Sequence, residues 1–253
     1  HLMENVHFFV VFHEKIFDDC YEDISQEVLD KHFTFISVNE SIKKVYTPNK
    51  YNVVNEWELP VYVDEFQKKA YKENSAIYHV MANNMHENYK YIGFFQYDMK
   101  FTKSTLDTIT KHTNSDEPTC LYLGAENFNT CASCIEPQVM IHITSKYDSF
   151  SFSEDKIYPL WNTYVIPIHT FENVMKWVVT LYSDLSKVLI LKHFGHVAGI
   201  YERVMAFAIG EERLKMVKFD INHDHDYKDN LDHSKSIPNI KFDNNPDIFL
   251  DSK

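Results

Sequence analysis

Short apolar segments that end at polar side chains recur along the first half of the chain, and they constrain the fold more than any other feature. Val6–Phe12, Phe33–Val38 and Tyr91–Tyr97 have the length and the apolar content of buried strands. Between them, apolar residues recur at helical spacing, most clearly from Glu65 to Met85. Strands that alternate with helices predict an α/β fold with a mostly parallel central sheet flanked by helices.

The second half of the chain continues this alternation. A helix at Leu106–His112 and a strand at Cys120–Leu123 come first. A strand between Trp161 and Ile168 and helices at Phe171–Lys192 and Gly199–Ile209 follow. Thr47–Pro60 reads as loop.

Composition predicts one domain and a polar tail. Residues 4–219 carry the periodic segments, and we expect them to form one folded domain. Residues 220–253 are rich in Asp, Asn, His and Lys, and we expect them to wrap the domain surface or to be partly disordered. The histidines of this segment, His223, His225 and His233, are therefore expected to be solvated rather than bound to a metal ion.

Three features that we do not find in the sequence bear on the cellular compartment of the protein. We identify no signal peptide, and four cysteines suit a reducing, cytoplasmic environment. Cys131 and Cys134 form a single CxxC pair, which is too few ligands for a structural zinc site. Lys176, Asp184 and Lys187 interrupt the longest apolar stretch, so we expect no transmembrane segment.

Net charge and missing motifs exclude several function classes. A formal net charge of −12 without a basic stripe argues against nucleic acid or an anionic membrane as the main partner. The chain has no glycine-rich phosphate loop, no GxSxG and no HExxH. NTPases, α/β-hydrolases and zincins are therefore disfavoured, and any bound phosphate must be held by local cations, backbone N–H groups or a metal ion.

Polar residues follow several of the predicted strands. His13, Asn39, Asp98 and Glu126 each come just after an apolar run. Ligands of open α/β sheets bind outside the carboxyl ends of the strands. These side chains are therefore predicted to converge on one crevice.

Asp98 follows the most apolar central strand and is the strongest candidate for a metal ligand. A diphosphate group is doubly negative, and Mg²⁺ or Mn²⁺ held by carboxylate oxygens neutralises such charge. The alternative is an aspartate that caps the following turn. Further along, Glu202 could act as general base toward an acceptor hydroxyl and Arg203 could bind phosphate, the alternative being an exposed ion pair at a helix start.

Aromatic residues and histidines give weaker signals. His193 and His196 are separated by Gly195, which makes a helix end as reasonable as a shared helix face. Tryptophans are more often core residues than sugar platforms. Among the three in this chain, Trp57 is the best candidate for stacking because it lies in a predicted loop.

Three blocks between Tyr71 and Met205 resemble a family of GT-A-like glycosyltransferases encoded in polysaccharide and capsule gene clusters. The first block reads Tyr-x-Glu-x-Ser-Ala, the second Gly-x-x-x-Tyr-x-x-x-Phe, and the third ends in Gly-x-x-Glu-Arg. The matching positions are Tyr71, Glu73, Ala76, Tyr78 and Asn83, then Gly93, Tyr97 and Phe101, then Trp161–Val165, Trp177 and Gly199–Val204.

The resemblance implies a GT-A (Rossmann-like) fold and transfer of a sugar, as a hexosyltransferase, from a UDP- or GDP-linked nucleotide sugar to a hydroxyl of a glycan or glycoconjugate. It implies site roles for Glu73, Tyr97, Asn162, Glu202 and Arg203. We expect His13 and Asn39, which follow predicted strands, to line the nucleotide pocket. We expect Gln96 to lie beside Asp98.

Gln96 and Asp98 stand where that family has histidine and arginine. The local charge therefore changes from basic to acidic, which implies a different donor or metal-assisted handling of the phosphates by Mn²⁺ or Mg²⁺. Two other functions stay open at this point. One is a degenerate GT-A fold that binds glycans without catalysis, and the other is a different nucleotide-handling α/β enzyme such as a nucleotidyltransferase.

Overall fold

The computed structural model describes residues 4–13, 15–40, 50–68, 71–127, 156–189 and 197–221. Within helices and strands, only the backbone is described for residues 126, 183–189 and 197. Three parts of the chain with predictions lie outside the described residues. They are the CxxC pair, the segment with His193 and His196, and the tail from residue 222 onward. None of the described helices is long and apolar enough to cross a membrane.

The structure contains both strands and helices along the described parts of the chain. The strands are β1 Val6–Phe12, β2 Phe33–Ser37, β3 Val53–Asn55, β4 Tyr91–Gln96, β5 Thr119–Tyr122, β6 Ala125–Glu126, β7 Tyr158–Pro159, β8 Tyr164–Pro167 and β9 Lys215–Lys218. The helices are α1 Gln26–His32, α2 Glu65–Lys68, α3 Glu73–Ala82, α4 Lys103–Thr113, α5 Ile168–Leu189 and α6 Val197–Glu211, with 3₁₀ turns at Asp18–Tyr21 and Glu56–Glu58.

Seven of these strands form the central sheet in the order β3-β2-β1-β4-β8-β5-β9. β1 pairs in parallel with β2 and β4, and β3 pairs in parallel with β2. β8 is antiparallel to both β4 and β5, and β9 is parallel to β5. The carboxyl ends of the other six strands therefore lie at one edge of the sheet, together with the amino end of β8. This confirms the predicted fold class.

Apolar clusters cover both faces of the sheet. Phe9 and Val11 of β1 belong to the cluster that also holds the buried residues of α3, α5 and α6. Phe8 and Val10 belong to the other cluster, which holds Leu29 of α1 and Ile109 of α4. Side chains alternate between the faces of a strand, so β1 must be apolar throughout when both faces are covered.

A buried polar network fixes the start of α3 against the turn that follows β3. Glu56 and His79 are both fully buried, and Oε1 of Glu56 lies 2.9 Å from Nδ1 of His79. The hydroxyl of Ser75 and the amide of Gln67 also donate to this carboxylate. Nε2 of His79 accepts from the backbone N–H of Val63, so Nδ1 carries the proton.

The structure differs from the sequence predictions mainly at short or exposed elements. β3 lies inside the segment read as loop, and both α1 and β9 were unpredicted. The helix predicted from Glu65 to Met85 is two helices, and Lys72 between them has a positive φ of 52°. Ile221, beyond the predicted domain boundary, is buried in the core.

Candidate functional site

Three predicted residues meet where β1, β2 and β4 end. Nδ2 of Asn39 donates to the backbone oxygen of His13 at 2.9 Å. The ring of His13 packs edge-on against the ring of Tyr97, with centroids 4.8 Å apart. Asn39 is 1% exposed, so its amide fixes the loop after β1 rather than forming the pocket surface. His13 and Tyr97 are only partly buried and can contact a ligand.

Lys15 adds a cation to this end of the sheet, and sequence reasoning assigned it no role. Its Nζ lies 4.9 Å from the centroid of the Phe17 ring, which in turn stacks on Tyr97. The signal that could have identified it is the polar stretch directly after the apolar run of β1. A lysine at this position can balance the charge of a phosphate group.

A second group forms around the turn at Trp161 and Asn162, just before β8. Both residues have positive φ, 64° and 45°. The backbone N–H of Trp161 donates to Oε1 of Glu202 at 2.8 Å. Nε2 of Gln96 lies 3.5 Å from the backbone oxygen of Trp161. The structure thus brings Gln96, Asn162 and Glu202 to one turn at the carboxyl edge of the sheet.

Glu73 lies next to this turn. Nδ2 of Asn162 is 3.2 Å from Oε1 of Glu73 and 3.0 Å from Oδ1 of Asn74. Asn74 itself donates to the backbone oxygens of Tyr71 and Ala198. Burial raises the pKa of Glu73, while the hydrogen bond from Asn162 works in the opposite direction. Asn74 was not predicted, and no local pattern distinguishes it from an ordinary helix residue.

Two buried polar atoms near Glu73 have no hydrogen-bond partner. They are Oδ1 of Asn162 and the hydroxyl of Tyr164, and both residues are fully buried. Burial raises the pKa of Tyr164 well above its ordinary value, and the charges of Glu73 and Glu202 add to that effect. Buried polar groups in proteins are nearly always satisfied. Their burial without a partner therefore costs free energy at this part of the fold.

Arg203 lies on α6 beside Glu202. Its Nη1 donates to the backbone oxygen of Gly199 at 2.8 Å, and its Nε is buried without a hydrogen-bond partner. The described contact of the guanidinium group is therefore within its own helix. Contact with phosphate stays a prediction.

Asp98 follows β4 by two residues and is 6% exposed. Within the described part of the chain, no three His, Cys, Asp or Glu side chains are close enough together to hold a metal ion. The described residues therefore do not fit a metal ion that the protein alone coordinates, and we derive no step through one. The side chain of Glu126, which was predicted to reach the same crevice, lies outside the described residues.

The exposure of Trp57 and Trp161 differs from what the sequence predicts. Trp57 is partly buried in the turn after β3, and its indole nitrogen is inaccessible. Trp161, which was expected in the core, is 46% exposed. It borders a pocket of about 440 Å³ at the carboxyl ends of β5 and β9.

Comparison with known proteins bears on the fold. No protein-family model and no curated protein sequence matches the chain. The apo structure of WbbM, a bifunctional glycosyltransferase, overlays with a TM-score of 0.60 at 13% identity, over 86% of this chain and 45% of that one. The chain thus spans less than half of that protein.

Two fungal enzymes overlay more loosely. Core-mannan synthase A from Aspergillus fumigatus, in a Mn/GDP form, gives a TM-score of 0.42 at 10% identity, over 87% of this chain and 74% of that one. The mannosyltransferase Ktr4p from S. cerevisiae gives 0.37 at 9% identity, over 87% and 70%. Of these three overlays, the one with WbbM is close enough to compare folds, and with the strand order it shows a GT-A-like fold.

Proposed function

We propose that this protein transfers a sugar from a nucleotide sugar to a hydroxyl group of a glycan or glycoconjugate. One observation carries the proposal. Gln96, Asn162 and Glu202 come from distant parts of the sequence and meet at one turn, beside Glu73, at the ligand-binding edge of a GT-A-like sheet. The resemblance in sequence predicts site roles for Asn162, Glu202 and Glu73 in such an enzyme.

The donor nucleotide is assigned to the ends of β1 and β2. His13 and Tyr97 offer aromatic rings there, and Asn39 holds the loop that carries His13. Lys15 supplies positive charge for the diphosphate. The chain has a net charge of −12, so such local cations matter more than the overall field.

The acceptor is assigned to the Trp161 turn, with Glu202 as general base. In the transfer, the bond between the sugar's anomeric carbon and the diphosphate oxygen breaks, and a bond to the acceptor oxygen forms. The acceptor proton passes to the Glu202 carboxylate, and the nucleoside diphosphate leaves with the electron pair of the broken bond. The N–H of Trp161 fixes the orientation of that carboxylate.

Glu73 is assigned to a hydroxyl group of the donor sugar, and Asn162, which is fully buried, positions the Glu73 carboxyl group through the hydrogen bond from its Nδ2. Burial raises the pKa of this carboxyl group, as is common for carboxyl groups in functional sites. A divalent metal ion, Mn²⁺ or Mg²⁺ near Asp98, stays a prediction of the sequence.

The test is turnover of sugar nucleotides by the full chain. UDP- and GDP-sugars are incubated with Mn²⁺ and a mixture of glycan acceptors, and released nucleoside diphosphate is measured by chromatography. We expect one sugar nucleotide to be consumed, faster with acceptor than without. Turnover of nucleoside triphosphates alone would identify a nucleotidyltransferase. Binding of sugar nucleotides without any turnover would identify a glycan-binding protein that has lost catalysis.

A further inference from the structure

Trp161 is exposed at an unusual place. At 46% exposure it is one of three large hydrophobic residues that are exposed in the described part of the chain, with Val61 and Ile157. Its neighbours on both sides, Leu160 and Asn162, are buried. A single exposed apolar residue needs no explanation by itself. The backbone conformation of Trp161 does need one.

The backbone of Trp161 is held in a conformation that tryptophan rarely adopts. Its φ of 64° lies in the left-handed region, which is costly for a bulky side chain and persists only when the surroundings enforce it. Here Glu202 accepts from its N–H, and Gln96 approaches its backbone oxygen. Strain maintained by polar contacts is typical of functional sites. The contacts fix the direction in which the indole leaves the backbone.

Gly124 fixes the position of the ring itself. A Cβ atom at Gly124 would lie 2.2 Å from Cζ3 of Trp161, so no other residue fits there without displacing the indole. The backbone oxygen of Gly124 also accepts from the N–H of Leu160, which joins the two segments. The indole is thus positioned by its backbone and by the glycine on which it lies.

The pocket beside the ring has the chemistry of a sugar site. Its volume of about 440 Å³ lies in the range of small-molecule sites. Leu160 and Trp161 offer apolar surface, while Lys218 and Asp220, both exposed, offer charged groups at the rim. A pyranose has a face of C–H groups that packs on an aromatic ring and a rim of hydroxyls that needs polar partners. A planar apolar ligand would use the first feature only.

We propose that Trp161, seated on Gly124, is the stacking platform for a pyranose ring of the acceptor. The assignment to the acceptor rests on the proposed function. The pocket lies at the ends of β5 and β9, and β5 is three strand spacings, roughly 14 Å, from β1, where the nucleotide is assigned. The backbone N–H of Trp161 donates to Glu202, so the residue that carries the ring also contacts the candidate base.

The test uses the full chain labelled with 5-fluorotryptophan, whose three tryptophans give three ¹⁹F NMR resonances. Loss of one resonance in Trp161→Phe assigns it. Methyl glycosides of glucose, galactose, mannose and N-acetylglucosamine are titrated to about 50 mM, since single-sugar affinities are expected in the millimolar range. We expect at least one glycoside to shift the Trp161 resonance saturably, with the Trp57 and Trp177 resonances unchanged. Gly124→Ala, which retains all three tryptophans, should weaken that binding about tenfold.

The platform is refuted if no glycoside shifts the Trp161 resonance, or if uridine or guanosine shifts it and the glycosides do not. Stabilisation by UDP or GDP is measured separately by melting. Glycoside binding without nucleotide binding would keep the platform and remove the sugar-transfer proposal. Nucleotide binding with an unchanged Trp161 resonance would keep the sugar-transfer proposal and remove the platform.

Discussion

Oε1 of Glu202 accepts a hydrogen bond of 2.8 Å from the backbone N–H of Trp161, which joins a candidate catalytic carboxylate to an exposed aromatic ring across 41 residues. The two roles of this carboxylate, chemistry and positioning, are separable by substitution. Glutamine keeps an oxygen that accepts the same hydrogen bond but loses the basic carboxylate. Alanine loses both.

Glu202→Gln should lower the rate of sugar transfer by about 10²–10⁴-fold, because the general base is removed. Its melting temperature should stay close to that of the wild type. Glu202→Ala should in addition destabilise the fold by about 1 kcal/mol through the lost hydrogen bond. Glu27→Gln, an exposed glutamate on α1, is the matched control. Full activity in Glu202→Gln would reduce Glu202 to a positioning residue for the turn.

Asp98→Asn tests the predicted metal role. If Asp98 binds Mn²⁺ or Mg²⁺ beside the diphosphate, this variant should lose transfer activity by orders of magnitude. A strand-end aspartate acting only as a cap contributes about 1 kcal/mol, so the fold should survive. Asp64→Asn, which changes an exposed aspartate, is the control. Metal-independent activity that survives Asp98→Asn would shift the role to Lys15, because Lys100 is already paired with Glu22.

Glu73→Gln should separate stability from activity. Burial raises the pKa of Glu73 above its ordinary value of 4.5, so its contribution to stability is full below that pH and is lost as pH rises through the folded pKa. Glutamine keeps the oxygen that accepts from Asn162. The variant should therefore gain stability relative to the wild type as pH rises from 4 to 8, measured by urea unfolding, while sugar transfer falls. A relative loss of stability over that range would mean that the ionised carboxylate stabilises the fold.

His7 should make the fold sensitive to acid. Burial, with a smaller effect from His32, lowers the pKa of His7 from 6.5 to about 4. Its neutral form therefore contributes stability above pH 6.5, of about 3 kcal/mol, which is lost as pH falls toward 4. The ring accepts or donates at Thr34 and stacks on Tyr89. His7→Gln should flatten the decline of unfolding free energy between pH 7 and pH 4. His169→Gln, whose side chain is 90% exposed, should leave it unchanged.

Elements buried on both faces could be predicted from sequence, whereas edge elements could not. β1 and β4 are continuous apolar runs because helices cover both sides of the sheet centre. β3 and β9 are the two edge strands, each is partly exposed, and neither has a clear apolar pattern. Local periodicity carries little information where few side chains are buried.

The site residues also divide into those that sequence could predict and those that it could not. The prediction that His13, Asn39, Asp98 and Glu126 gather at the carboxyl edge follows from parallel strand direction alone. His13 and Asn39 do meet there, and Tyr97, which the resemblance predicted, packs against His13. The contact between Trp161 and Glu202 depends on how α6 packs against the sheet, which no local pattern encodes. The expectation that Trp161 is a core residue was wrong because the left-handed turn before β8 directs the indole outward.

Nucleotide binding tests the central claim most directly. The full chain is melted with and without UDP, GDP and their sugar conjugates, each with and without Mn²⁺. A ligand at one hundred times its dissociation constant stabilises the fold by about 2.7 kcal/mol, which is roughly 5–10 °C for a domain of this size. We expect one nucleoside diphosphate and its sugar conjugate to produce such a shift. No shift with any of them at millimolar concentration, with Mn²⁺ present, would contradict a sugar-nucleotide-dependent transferase.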